Sequence, residues 1–155
     1  MNWADIYGIA TLAACAAAWV GKDAARQKIA LALLASWAIT QFLHHSASPP
    51  RLLAYNAGLD LCGLAITVYT RWSKRSQSYS IMAIYMAMIV AHLATLIAHP
   101  GSYNGYYILL NLLFCAQLLI VFSGGVYDLG ARLVHRYRHH SADHSDLIGA
   151  KVRTK

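Results

Sequence analysis

Five long apolar runs separated by short polar links make up most of this chain: Asp5–Gly21, Ile29–Ala47, Leu52–Thr70, Tyr79–Ala98 and Tyr106–Tyr127. Each is about 17 to 22 residues long, the length with which a helix crosses roughly 30 Å of hydrocarbon. The pattern predicts an all-α fold, a polytopic membrane bundle of five transmembrane helices over residues 1–127. The first run is the shortest and richest in alanine; without it the count falls to four. The links "KDAARQK", "SPPR", "RWSKRSQS" and "HPGSYNG" are short enough to force successive helices antiparallel. Pro49, Pro50 and the Pro100–Gly101 pair mark turns.

After Tyr127 the pattern changes. Leu129, Leu133, Val134 and Tyr137 share one helical face, opposite Arg132, Arg136 and His139. This predicts an amphipathic helix to about residue 140, lying against the inner leaflet. Arg132, Arg136 and Arg138 would then be drawn to anionic lipid headgroups. Past Ser141 the composition predicts disorder, so residues 128–155 read as a basic cytoplasmic tail. Inside the bundle, small residues recur every four positions, as Ala10, Ala14 and Ala18, as Ala13, Ala17 and Gly21, and along Ala83, Ala87, Ala91, Ala94 and Ala98. Such rows let helix backbones approach closely where apolarity gives no driving force, so they read as packing faces.

Composition sharpens the membrane reading. Apolar residues make up 58% and charged residues 12%, with no Glu, and a soluble domain would carry about twice that charged fraction. Arg51 is the one basic residue outside the first link, the third link and the tail. By the positive-inside rule the N-terminus lies outside and the tail in the cytoplasm. The net charge of +7 is then a topology signal and no argument for nucleic acid. Trp19, Tyr69, Trp72, Tyr79 and Tyr127 fall at inner boundaries, and Trp3, Tyr7, Tyr103, Tyr106 and Tyr107 at outer ones, where amphipathic rings favour the headgroup level. Cys15, Cys62 and Cys115 lie within runs and read as small hydrophobes. "LAAC" at Leu12–Cys15 has the form of a lipoprotein cleavage box, but no basic region precedes it and the run stays apolar beyond it, so it is read as a retained span.

Against this background Asp60 stands out. Asn56, Asp60, Gly63 and Thr67 form one stripe of the third helix. Lipid exposure of an acid costs at least about 2.5 kcal/mol, which turns the stripe inward. At a helical rise of about 1.5 Å per residue, Asp60 lies about 12 Å below the outer edge, His92 about 9 Å, and Gln41 and Asn111 about 8–9 Å. Gln117 sits nearer the midplane. Four helices thus bring a polar side chain to one slab. Its two readings are an Asp–His proton or ion relay and a satisfied network that locks helix register.

Histidines raise further options. A b-type haem needs two axial histidines at one depth; His92 qualifies, whereas His44, His45 and His99 cluster at the outer interface. No metal site is expected from that cluster, because adjacent histidines point to different faces. HExxH, GxSxG, Walker loop and paired carboxylates are all absent, so no catalytic residues are assigned. Gly124–Gly125 reads as a packing or exit feature of the last span.

The segments "SWAIT", "NAGLDL", "AHLATLIAH" and "LNLLFCAQLLI" give the chain a pattern that resembles small multi-spanning membrane proteins encoded by tailed phages and prophages. The resemblance implies roles in membrane takeover, superinfection blocking or lysis, although five spans exceed the usual number in holins. Three functions follow as expectations. The first is a non-enzymatic bundle of the bacterial inner membrane, multi-pass, acting through homo-oligomeric assembly or as a subunit of a membrane complex. The second is a proton- or ion-conducting or permeabilising protein lined by Asp60, His92, Gln41 and Asn111. The third is a haem or quinone redox subunit.

Overall fold

A computed structural model describes residues 3–44, 48–70, 75–98 and 103–153, with side chains throughout except at 3, 4, 49, 50, 75 and 137–153. It contains five helices: α1 (Trp3–Gly21), α2 (Ala24–His44), α3 (Pro49–Tyr69), α4 (Arg75–Ala98) and α5 (Asn104–Arg153). No strand occurs among the described residues. Three segments, Arg51–Tyr69, Ser76–Ala98 and Asn104–Arg136, are long and apolar enough to cross a membrane; Asp5–Gly21 is apolar but shorter. In α2 the residues Arg26, Gln27, Lys28, Ser36, Thr40 and Gln41 dilute the apolar character.

Local chemistry explains the boundaries. Proline opens α3 at the first-turn positions where its missing N–H leaves no bond unmade. Between α1 and α2 the turn is tighter than the composition of its link predicts. Lys22 adopts a left-handed conformation (φ 55°) and Asp23 Oδ1 accepts the Ala25 N–H at 3.0 Å, an N-terminal cap. Helix α2 therefore begins at Ala24, and Arg26 and Lys28 belong to it rather than to a loop. At the other extreme, the tail is continuous with the fifth span, because α5 carries on past Tyr127 to Arg153, through the stretch whose composition predicts disorder.

Each helix packs on its neighbours in sequence, α5 returns to α1, and α2 also touches α5 across the middle. The result is a closed ring with two ends. The histidine end carries the start of α1 and the α2–α3 and α4–α5 links; the arginine end carries the other two links and the departing α5. Alternation of five helices leaves α1 and α5 parallel. Tyr7 meets Phe114 edge-on at 6.3 Å toward the histidine end, and a methyl on Gly21 would come within 3.3 Å of the Gly125 Cα at the other. Ala14 and Ala18, from the small-residue row of α1, are buried with Leu118 and Val121 of α5.

The core is a stack of layers one helical turn apart. Ile29, Ala30, Leu33, Ile81, Tyr85, Leu118 and Val121 form its apolar middle. Outward, Ile9, Leu12, Phe42, Leu61, Val68, Val90, Leu93, Leu112 and Leu119 are exposed. An apolar surface this extensive is foreign to a water-soluble monomer and suits contact with acyl chains.

A methyl group on Gly125 would run into the Ala17 carbonyl, which is backbone and cannot turn aside. Gly125→Ala is expected to destabilise the bundle by about 1–3 kcal/mol, measured by SDS-induced unfolding in mixed micelles. Gly58→Ala, which meets open space, should be neutral or slightly stabilising.

Candidate functional site

All five helices contribute to the site at the histidine end, four through an inward stripe and α1 through Tyr7. On α3, Asn56 and Asp60 are one turn apart; on α4, Met88 and His92 are likewise; α5 adds Tyr107, Leu110, Asn111 and Phe114, and α2 adds Ser36, Trp37, Thr40, Gln41 and His44. Together with Tyr7 and Leu52 they enclose a part-open cavity of about 420 Å³. Asp60, His92, Gln41 and Asn111, the polar residues expected at one depth, all line it, as does Asn56 from the same stripe as Asp60. Gln117 does not; it lies about one turn below Phe114 on the same face of α5. His44 is exposed at the mouth, while His45 and His99 lie outside the described residues.

At the base of the cavity His92 Nε2 stands 2.9 Å from Asp60 Oδ2, and the Tyr106 hydroxyl stands 2.5 Å from His92 Nδ1. All three residues are buried, Asp60 at 5% and His92 at 2% exposure. A neutral imidazole satisfies both contacts in one tautomer: Nε2–H donates to the carboxylate and Nδ1 accepts the phenol proton. The reverse polarity, with a protonated Asp60 donating and Nδ1–H directed at the Tyr106 oxygen, satisfies them equally. Both ring nitrogens of His92 are therefore engaged. Thr40 donates to Asn56 Oδ1 at 3.1 Å, which ties α2 to the same group.

Composition marked Tyr106 only as an interfacial aromatic. Counting along the chain puts Tyr106 at the outer edge and His92 about 9 Å below it, so their contact was not legible from depth alone. Below the Asp60–His92 pair, Tyr85 packs its ring and hydroxyl against Gly63, where any β-carbon would collide with them. Gly63 thus makes room for the side chain that closes the floor.

A second polar centre occupies the arginine end. Arg26 is completely buried. Its Nη1 pairs with Asp128 Oδ2 at 2.5 Å, its Nη2 donates to Gln77 Oε1 at 2.9 Å, and Asp23 lies 3.8 Å away. The guanidinium rests against Gly124, with no space for a side chain there. Charge counting treated Arg26 as a cytoplasmic-side marker, yet it sits inside the ring. The signal was present in spacing: Arg26, Ile29 and Leu33 share a face of α2, and Gln117, Val121, Gly124 and Asp128 share one of α5.

The expected headgroup contacts divide as well. Arg132 donates to the Val20 carbonyl at 2.9 Å and also to that of Gly21. It thereby caps the C-terminus of α1, where carbonyls lack helical partners. Arg136 is exposed, and the Arg138 side chain lies outside those described. Among the described residues no three His, Cys, Asp or Glu side chains converge as a metal site would require. No protein-family model, no curated protein and no solved structure matches this chain.

Removing one member of a buried ion pair strands the other, which costs about 3–5 kcal/mol. Asp128→Ala is expected to fall in that range in SDS-unfolding measurements, and Arg26→Met combined with Asp128→Leu should recover most of the loss. At the Asp60–His92 pair, Asp60→Asn keeps an acceptor for Nε2–H and should cost less than His92→Ala, which leaves a buried carboxyl without its partner, at about 1–3 kcal/mol.

Proposed function

We propose that this protein is a five-crossing integral membrane protein, N-terminus outside and basic tail in the cytoplasm, that carries protons into and through its own bundle. The observation behind this reading is the Asp60–His92–Tyr106 chain, whose Asp60 and His92 line the cavity. An intramembrane acid that touches both a histidine and a cavity has the features of a proton relay. Its partners come from its own chain, so it lends no support to a role in assembly.

Several observations support the topology. At 1.5 Å per residue, the 19 residues of α1 reach about 28 Å and the 21 of α2 about 31 Å, lengths matched to the hydrocarbon thickness. Burial of Arg26 with Asp128 removes the main charge that argues against α2 as a span. Arg51 remains the one basic residue of the histidine-end segments, which by the positive-inside rule supports that end as the outer one. The bacterial inner membrane is the corresponding location, with anionic lipid facing Arg136 and the rest of the tail.

Proton transfer through the relay balances at each step. A proton reaching His92 Nδ1, as the Tyr106 O–H turns away, makes an imidazolium beside the Asp60 carboxylate. Loss of the Nε2 proton to Asp60 then leaves neutral imidazole in its other tautomer and a neutral carboxylic acid. One proton enters and one is handed on.

Vesicles containing the purified protein and a pH-sensitive dye test this directly under an imposed membrane potential. Wild type should acidify faster than empty vesicles, and Asp60→Asn should slow the flux by about a hundredfold. Wild-type traces matching those of empty vesicles, or an unimpaired Asp60→Asn, would overturn the proposal.

A further inference from the structure

The relay lies at one end of the bundle and the Arg26 pair at the other, and among the polar side chains buried between them the Thr11 and Thr67 hydroxyls donate to the carbonyls of Tyr7 and Gly63. Gln117 is fully buried, and neither its amide nitrogen nor its amide oxygen has a hydrogen-bond partner in the protein. A buried amide with both ends unmet is costly, and a leucine of nearly the same volume would remove that cost. Gln117, with both ends of its amide unmet, asks for a ligand.

The layers show where that ligand sits. The cavity floor is formed by Ser36, Asp60, Met88 and Phe114. One turn deeper, on the same four stripes, come Leu33, Gly63, Tyr85 and Gln117. Below these lie Ile29, Thr67, Ile81 and Val121, all buried, and then Arg26, Gln77, Gly124 and Asp128 at the ion-pair network. Gln117 therefore occupies the first layer under the cavity, on the helix that also carries Asp128. The Tyr85 side chain, seated against Gly63, fills the rest of that layer.

We propose that Gln117 is a hydration site, holding water that enters from the cavity when Tyr85 moves out of the Gly63 notch and extending the polar path toward Arg26–Asp128. The ligand class is water, with one molecule accepting from Nε2–H and another donating to Oε1. This deepens the proton-carrying reading and rests on it for function, whereas the water site itself does not require conduction.

X-ray radiolytic labelling in H2¹⁸O, read by mass spectrometry on the full chain in lipid vesicles, detects side chains beside bound water. Wild type should incorporate ¹⁸O at Tyr85 and Leu33 as well as at the cavity residues Met88 and Phe114. In Gln117→Leu the Tyr85 and Leu33 signals should vanish while Met88 stays labelled, and proton flux should drop to that of empty vesicles. Gln117→Met provides a second apolar variant should the branched side chain pack badly. Labelling of Met88 and Phe114 without Tyr85 or Leu33 in wild type would overturn the site, as would equal labelling in wild type and both variants. Labelled Tyr85 and Leu33 in a protein that carries no protons would sink the conduction reading and leave the hydration site standing.

Discussion

The constraint from which the rest follows is that Asp60 has nowhere to go but inward. A helix whose other faces meet acyl chains must turn its acid toward protein, and the acid then needs a partner at its own depth. His92 supplies it at 2.9 Å. That contact sets the rotation and height of α3 against α4 together. Once it is made, Gly63 falls opposite Tyr85, and the second ring nitrogen of His92 faces the incoming α5, where Tyr106 meets it. One polar bond thereby orders three helices.

The same logic operates at the opposite end with the opposite charge. Arg26 enters the ring because Asp128, Gln77 and Asp23 meet its Nη atoms, and the adjacent glycines Gly124 and Gly125 of α5 remove side chains that would block close packing. Gly124 admits the guanidinium and Gly125 admits the backbone of α1. Arg132 adds a hold on the end of α1 through its last carbonyls. The histidine end is hollow and the arginine end is closed. That asymmetry distinguishes the bundle from a uniformly packed scaffold, whose core would carry no 420 Å³ space beside its one acid.

The apolar middle matters for a different reason. Small residues on α1 and α5 bring the middles of those helices close enough to hold by contact area, with the Arg132 bonds added at one end. Within so tight a region an unpaired Gln117 is conspicuous. The same residue in the cavity would be one polar group among several.

Helix positions were legible in the chain because they depend on local apolar length: the five runs and the five helices agree to within a few residues at nearly every boundary except the start of α2 and the end of α5. The gathering of Asp60, His92, Gln41 and Asn111 was legible too, since depth follows from counting residues along rigid helices. The roles of Arg26, Arg132 and Tyr106 were not. A basic or aromatic residue near a helix end has the same sequence signature whether it turns to a headgroup or into the ring. The choice depends on which partners the neighbouring helices bring within reach, and helix rotation settles that through side-chain packing between segments as far apart as Arg26 and Asp128. Apolar length along the chain thus determined the helices and their depths, while only tertiary packing decided which polar groups found one another.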